Sequence, residues 1–135
     1  MHPNDTNKKF SVEIIYPELS YSLTGLCYEI HNRLERFCRE RQYGDEFEKL
    51  LKEKDIRYKR KYSLSHLGKE VVGNIVDFMI DEVILVDLKA KKFITKDDYY
   101  QMLRYLQASN LKLGLLINFR NSHLKPKRTI NLYDS

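Results

Sequence analysis

Three ionisable residues lie within two strongly apolar stretches of the chain, and their types and spacing could hold a divalent cation. Asp77 lies in the stretch 73–80, and Asp87 and Lys89 lie in the stretch 83–90. A short polar turn separates the two stretches, so the pattern predicts an antiparallel β-hairpin whose strands are buried on both faces. Two close carboxylates raise each other's pKa unless a cation lies between them. Mg²⁺ suits such a pair, because one or two carboxylates commonly bind it together with waters and phosphate oxygens.

The register of the hairpin decides whether the two carboxylates meet. If residues 81–83 form the loop, Asp77 lies directly opposite Asp87, with Cβ atoms roughly 5 Å apart on one face. A two-residue loop would offset them by one position. Lys89 follows Asp87 by two residues and therefore shares its face. There its ammonium could orient an attacking water or stabilise the charge on a phosphate. The alternative interpretation is a structural ion pair of Lys89 with either aspartate near a strand end.

Helical and extended patterns on either side of the hairpin define the elements that would position these groups. Apolar residues recur at helical spacing over 20–43, and Gly44 then permits a break before a second segment that ends near Lys54. Another helix is predicted over 96–108, after a capping-box start at Thr95. Further strands are predicted over 56–65, 113–119 and 129–133. The chain is therefore predicted to be α/β, in the order α-β-β-β-α-β, with a central mixed sheet flanked by helices.

Length and composition bound the class of protein. The 135 residues fit a single domain, predicted as 1–135 with residues 1–19 as an N-terminal arm. With 42% hydrophobic and 32% charged residues, the composition is typical of globular proteins and not of disordered ones. No apolar run approaches the length of a membrane span, and residues 1–9 lack the apolar segment of a signal peptide. We therefore expect a cytoplasmic protein without a membrane partner.

The charge balance favours a polyanionic partner. Lys and Arg outnumber Asp and Glu by 24 to 19, and the formal net charge of +5 attracts polyanions at long range. Two basic segments contain candidate phosphate contacts: the predicted strand segment 57–61 contains Lys59 and Lys61, and the predicted basic loop 125–128 contains Lys127 and Arg128. The alternative interpretation is a solvated sheet edge whose lysines block edge-to-edge aggregation. We expect nucleic acid as the partner, and the sequence leaves open whether the chain is a monomer or a homodimer.

The ordered set of these residues resembles the PD-(D/E)XK nuclease superfamily and, more narrowly, the small bacterial proteins of the GxxExxY family. The resemblance covers residues 23–131. It is carried by residues 25–31 and 40–43, Asp77, residues 86–90, 101–106 and 115–119, and the basic Lys127-Arg128 pair. Two positions depart from the family pattern. Phe37 occupies the place of the naming glycine, and Asp87 stands where glutamate is usual, although the superfamily pattern accepts aspartate there.

The resemblance implies a restriction-endonuclease-like core and a Mg²⁺- or Mn²⁺-dependent nuclease that hydrolyses phosphodiester bonds of DNA or RNA. It implies that Asp77 and Asp87 bind the metal and that Lys89 assists the attacking water. It also implies that a glutamate of the first helix completes the site, and both Glu29 and Glu40 are candidates. These two glutamates are eleven residues apart, so a continuous helix would place both on one stripe.

Several of these assignments have ordinary alternatives. Gln101 resembles the helix glutamine of the superfamily, but it could equally be a polar residue without a role, and Glu29 or Glu40 could be a solvated helix charge. The rival hypothesis for the whole chain is a non-catalytic nucleic-acid-binding or protein-interaction module on the same fold. The retained Asp77, Asp87 and Lys89 favour an enzyme, because a degenerate copy has little reason to keep buried charges.

Overall fold

Residues 16–64 and 74–132, which the computed structural model describes, form a five-stranded mixed sheet flanked by helices. In chain order the elements are α1 (Pro17–Arg33), α2 (Glu40–Glu53), β1 (Tyr58–Ser63), β2 (Ile75–Ile80), β3 (Ile84–Lys89), α3 (Lys96–Ser109), β4 (Leu113–Asn118) and β5 (Lys127–Ile130). The strands lie in the order β1-β2-β3-β4-β5, and neighbours are antiparallel except for the parallel pair β3 and β4. The predicted α/β class and mixed sheet are confirmed. Within the described ranges, no helix has the length and apolar character needed to cross a bilayer.

The β2–β3 hairpin has the register that a three-residue loop predicts. Phe78 pairs with Val86, and residues 81–83 make the turn between the strands. Two non-glycine residues of this turn take positive φ angles of 49° and 60°, a conformation that short polar side chains tolerate better than branched ones. Continuing the same register by one position places Asp77 opposite Asp87.

The side chains of the central strands pack alternately against two helical layers. Val86 of β3 belongs to the large core cluster with α1 and α2, whereas Leu85 belongs to the smaller cluster with α3. Because residues two apart in a strand share a face, Asp87 and Lys89 project on the α3 side. Burial of both faces explains why β2 and β3 are nearly continuous apolar runs in the sequence.

The first helical region differs from the prediction at both ends. α1 begins at Pro17, inside the predicted arm 1–19, because proline has the φ and the missing N–H that suit a first helical turn; residues 1–15 lie outside the described part of the chain. α1 ends at Arg33, and α2 begins only at Glu40. The prediction of one continuous helix over 20–43 is therefore wrong.

Side-chain contacts hold the link between α1 and α2 in a non-helical path. The Tyr43 hydroxyl donates a hydrogen bond to the Glu35 carbonyl and accepts one from the Cys38 N–H at 3.2 Å. These bonds use backbone groups that a continuous helix would pair internally. Phe37 lies in this link without a positive φ, so the chain turns here although the family's glycine is absent.

The start of α3 matches the prediction, and the last strand is displaced from it. Thr95 Oγ1 accepts a hydrogen bond from the Asp98 N–H (3.2 Å), and the Asp98 carboxylate accepts one from the Thr95 N–H (2.8 Å), which is the predicted capping box. The sequence pattern predicts the last strand over 129–133, but β5 begins at Lys127. Lys127 and Arg128 are therefore residues of an edge strand and not of a loop.

Candidate active site

Two carboxylates interlock across β2 and β3. The Asp77 N–H donates to Asp87 Oδ1 at 3.0 Å, and the Leu88 N–H donates to Asp77 Oδ2 at 2.7 Å. The regular β2–β3 pairing ends at Phe78 and Val86, so the two carboxylates take over the cross-strand hydrogen bonds beyond that point. Each aspartate keeps a second oxygen, Asp77 Oδ1 or Asp87 Oδ2, that these two bonds do not use. The aspartates thus meet as the three-residue loop predicts.

The other side of Asp77 is also irregular. β1 pairs with β2 on both sides of this position, but Lys61, which the register would place opposite Asp77, is missing from the pairing and has a φ of 53°. A residue in this conformation interrupts the regular pleat, as residues do in β-bulges, which commonly re-aim side chains beside functional sites. Asp77 therefore lies between two local breaks in the sheet.

Burial and mutual repulsion make both carboxyl groups hard to ionise. Asp87 is 4% exposed, and burial together with the charge of Asp77 raises its pKa to about 6. Burial likewise raises the pKa of Asp77, although the Leu88 N–H and the charge of Lys89 act in the opposite direction. The charge of Glu40 adds to the repulsion on both aspartates. A cation bound between the two carboxylates would relieve this repulsion.

Lys89 is held loosely between acidic side chains. Its Nζ lies 3.9 Å from Asp87 Oδ2 and 4.0 Å from Asp98 Oδ1, and both distances are too long for a hydrogen bond. Asp98 is engaged more tightly by Lys91 Nζ at 2.7 Å and by Thr95. Burial raises the pKa of Asp98, but the hydrogen bonds from Lys91 and Thr95 outweigh it, so the pKa lies below its usual value. The Lys89 ammonium is therefore attracted to anions on both sides without a tight pair to either.

The break between α1 and α2 separates the two candidate glutamates. Glu40 begins α2 and lines a cleft of about 220 Å³ together with Asp77, Arg60 and other residues. Glu29 lies in α1 and lines a different cleft. The two side chains do not share one stripe, because the helix between them is interrupted. Glu40 is thus the candidate that the structure places beside the aspartates, and Glu29 is not.

Arg60, which lies in the predicted basic segment 57–61, borders the same cleft. Its Nη1 lies 2.7 Å from Asp45 Oδ1 and 2.9 Å from Glu48 Oε1. A Cβ at Gly44 would come within 2.6 Å of the Arg60 guanidinium. The sequence pattern predicts a helix break at Gly44, but this glycine lies inside α2 and allows Arg60 to pass close to the helix backbone.

α3 contributes two polar side chains near the carboxylates. Gln101 is half-buried and lies three residues after Asp98 and four before Tyr105, so the three share one face of the helix. Asp98 lies near Lys89. Burial and the charges of the two aspartates raise the pKa of Tyr105 to about 12. Gln101 therefore lies between two residues that border the site. The helical spacing of Tyr105 fits a core residue as well as a residue of the site, so the sequence pattern alone does not identify Tyr105 as a neighbour of the aspartates.

The four predicted phosphate contacts do not form one surface. Lys59 and Lys61 belong to β1, and Lys127 and Arg128 belong to β5, at opposite edges of the sheet. With neighbouring strands about 4.8 Å apart, the two edges are about 19 Å apart. Lys61 lines the cleft beside Asp77. Arg128 Nη1 donates to a serine hydroxyl of α1 at 2.5 Å, so at least one of the four has a structural contact.

The donor set fits a cation that needs few protein ligands. Among the described residues, no group of three or more His, Cys, Asp and Glu side chains is arranged to hold a metal ion. Asp77 and Asp87 supply hard oxygen donors, and burial raises the pKa of both carboxyl groups. Such a pair fits Mg²⁺ or Mn²⁺, because Mg²⁺ usually retains several waters.

Comparison with known proteins agrees with this geometry. Residues 17–130 match the family model of the PD-(D/E)XK nuclease superfamily, a range that contains every helix and strand from α1 to β5. No curated protein and no solved structure matches the chain significantly. The mixed five-stranded sheet between helices is consistent with the restriction-endonuclease-like fold of the superfamily. The chain therefore belongs to the PD-(D/E)XK nuclease superfamily.

Proposed function

We propose that this protein is a divalent-metal-dependent nuclease that hydrolyses phosphodiester bonds of nucleic acid. The observation that carries the proposal is the pair of carboxylates on Asp77 and Asp87, whose pKa values are raised and beside which Lys89 lies. Membership of the superfamily supports a nuclease-like function. A fold does not establish an activity, so the argument rests on the site.

We also infer the narrower placement in the GxxExxY family of bacterial proteins. Glu40 and Tyr43 occupy the glutamate and tyrosine positions of its naming motif. In this chain Tyr43 holds the turn that brings Glu40 beside the aspartates. Phe37 replaces the glycine of the motif without loss of that turn. A cytoplasmic location is part of the same inference.

Mg²⁺ or Mn²⁺ is the cofactor we infer, and Asp77 and Asp87 would hold it. When bound, such an ion supplies Lewis acidity to a phosphoryl oxygen and lowers the pKa of a water. The carboxyl pKa values are raised without a cation. Metal binding should therefore release protons from the site near pH 6.

The other side chains have roles that follow from their positions. Lys89 is loosely paired and keeps donors for a phosphate oxygen or for the attacking water, where its charge stabilises the developing negative charge. Glu40 lines the cleft beside Asp77 and can orient a water there. Gln101 offers an amide on the α3 side of the site.

The test combines thermal melting with a cleavage assay. Wild-type protein and Asp87→Asn are melted in EDTA and in excess Mn²⁺, and labelled single-stranded and duplex DNA and RNA are offered as substrates. Mn²⁺ should raise the melting temperature of wild type, because a ligand at a hundred times its Kd stabilises by about 2.7 kcal/mol. Asp87→Asn should show neither this stabilisation nor cleavage. Asp55→Asn, which removes a carboxylate from an exposed turn, should behave like wild type.

A structural ion pair predicts the opposite pattern. Removing one partner of a fully buried pair costs about 3–5 kcal/mol, so Asp87→Asn would then be strongly destabilised in EDTA. If, in addition, wild type gained no stability from Mn²⁺, the metal site would be excluded.

A non-catalytic nucleic-acid-binding module is the second candidate function. It is favoured by the hydrogen bonds that occupy one oxygen of each aspartate. Binding of nucleic acid in EDTA, without cleavage by wild type in Mn²⁺ or Mg²⁺, would support this candidate over the nuclease.

A further inference from the structure

A strongly basic pocket lies beside the link between α1 and α2. Its volume is about 630 Å³, and its lining includes Arg36, Phe37, Lys92, Arg120 and Lys125. Among the described residues that line it, none is acidic. The pocket is thus a concave surface with four cationic side chains and one aromatic ring.

The charges of this pocket are oriented without being neutralised. Arg36 Nε donates to the Arg120 carbonyl at 3.0 Å, and Arg120 Nε donates to the Arg36 carbonyl at 3.3 Å. Within residues 16–64 and 74–132, none of the four cations forms an ion pair. By contrast, a cavity of about 580 Å³ elsewhere in the molecule is lined by Arg57 and by Asp81, which is paired with it at 2.6 Å. Because backbone carbonyls are neutral, these hydrogen bonds leave the pocket beside the α1–α2 link with its full positive charge.

The loop that carries part of the pocket is fixed by α1. The Tyr28 hydroxyl donates to the Leu124 carbonyl at 3.0 Å, and His31 Nε2 lies 2.7 Å from the Asn121 carbonyl oxygen. Both contacts brace the segment between β4 and β5. A cationic site that is already ordered loses less conformational entropy when it binds a ligand.

Phe37 gives the pocket an aromatic surface in addition to its positive charge. The side chain is 69% exposed, and the guanidinium carbons of Arg36 and Arg120 each lie 5.1 Å from its ring centroid. An exposed aromatic ring in a basic surface is a platform for an unpaired nucleobase. Bases inside a duplex are already stacked, so this feature favours a single strand.

The pocket also adjoins the carboxylate site. Arg120 Nη2 donates to the carbonyl of Ala90, the residue after Lys89, at 3.3 Å, and the Phe119 N–H donates to the Lys89 carbonyl at 2.9 Å. A chain of phosphates bound in the pocket would therefore pass close to the end of β3.

We propose that this pocket binds the phosphates of a single-stranded nucleic acid, with an unpaired base stacked on Phe37, and guides the strand toward Asp77 and Asp87. The inference deepens the proposed nuclease function and rests on it for the reaction. The binding itself requires no metal, so it can be measured in EDTA, where failure of cleavage and failure of binding are separate results.

The first experiment measures fluorescence anisotropy of labelled oligo-dT, oligo-rU and a duplex in EDTA over a range of salt concentrations. Lys92→Ala/Lys125→Ala should bind the single strands about tenfold more weakly, and its log–log salt slope should be smaller by about 1.4, or about 0.7 for each phosphate that is no longer neutralised. Lys49→Ala/Lys54→Ala removes the same charge from exposed lysines near the end of α2 and should leave both quantities as in wild type. An unchanged slope for the pocket variant would overturn the proposal.

The second experiment separates stacking from charge. Phe37→Leu keeps an apolar side chain at the same exposed place but lacks an aromatic face. It should bind either single strand about fivefold more weakly or worse, because stacking contributes this much per base, and it should bind the duplex as wild type does. Unchanged single-strand affinity, with a melting curve that shows the variant to be folded, would overturn the proposed strand recognition.

Discussion

At the residue scale, the candidate active site is the pair of carboxylates on Asp77 and Asp87. Burying these two charged groups lowers the free energy of unfolding. Desolvation and repulsion raise the pKa of Asp87 to about 6, whereas hydrogen bonds lower the pKa of Asp98 a short distance away. Asp98 is a compensated anion with a structural role, because Lys91 and Thr95 hold it. For Asp87, the hydrogen bond from the Asp77 N–H and the charge of Lys89 do not offset the effect of burial, and carboxyl groups with perturbed pKa values cluster at functional sites.

The raised pKa of Asp87 predicts how its replacement changes stability with pH. Because the folded state holds this proton more tightly than the unfolded chain, the free energy of unfolding falls as pH rises from about 4 to 6. Asp87→Asn has no carboxyl group that ionises at this position, so its free energy of unfolding does not fall in this way. In EDTA the variant should therefore match wild type near pH 4 and gain up to about 3 kcal/mol above pH 6, as measured by thermal melts across that range.

Asp98→Asn is the matched control for this pH series, because its pKa shift has the opposite sign. Its carboxylate contributes stability above its ordinary pKa, and this contribution is lost as pH falls. Asp98→Asn should therefore be less stable than wild type at pH 7 and approach it in acid. If Asp87→Asn followed the same course as Asp98→Asn, Asp87 would be a structural anion and not an uncompensated one.

At the element scale, the break between α1 and α2 positions the third carboxylate. A continuous helix would carry Glu40 in line with Glu29, but the link turns the chain so that Glu40 begins α2 beside Asp77. Tyr43 fixes this link from inside the core, where its ring stacks on Phe119 with centroids 4.3 Å apart and planes 7° apart. The hydroxyl of Tyr43 therefore couples the core to the position of the site.

Tyr43→Phe tests this coupling because it removes the hydroxyl and keeps the stacked ring. The Glu35 carbonyl and the Cys38 N–H would each lose the hydroxyl partner but remain bonded to each other at 3.4 Å, and we expect a loss of about 0.5–1.5 kcal/mol in urea denaturation. Tyr21→Phe removes a hydroxyl from a side chain that is 81% exposed and should leave stability unchanged. Equal stability of Tyr43→Phe and wild type would show that the link is held by other contacts.

At the scale of the whole molecule, positive charge lies at both edges of the sheet as well as in the pocket. If the edges bind duplex DNA, replacing Lys59, Lys61 and Lys127 together with alanine should flatten the log–log salt slope by about 0.9 for each phosphate that these lysines neutralise. Arg128 is left in place because it bonds α1. Replacing Lys49, Lys52 and Lys54 with alanine gives the same change of net charge elsewhere. Equal slopes for the two triple variants would show that the edge lysines are merely solvated.

The sequence by itself determined the β2–β3 hairpin and the start of α3, but it left two registers open, and only one of them pairs the two aspartates. Two apolar runs on either side of a polar turn specified the β2–β3 hairpin, and the three-residue loop set the register that brings Asp77 and Asp87 together. The capping box at Thr95 marked the start of α3. These features are local, because side-chain periodicity and turn length act over a few neighbouring residues.

Only the tertiary structure decided which other groups surround the aspartates. Local helical pattern could not reveal the break before Glu40, because the groups that stabilise it include Tyr43 and, across the core, Phe119. The helical pattern also could not predict the basic pocket, because two of its cations, Arg36 and Lys125, are far apart in the chain. Desolvation and Coulomb interactions depend on distances in space, so the pKa values and the uncompensated charges emerge only when the helices and the sheet have packed.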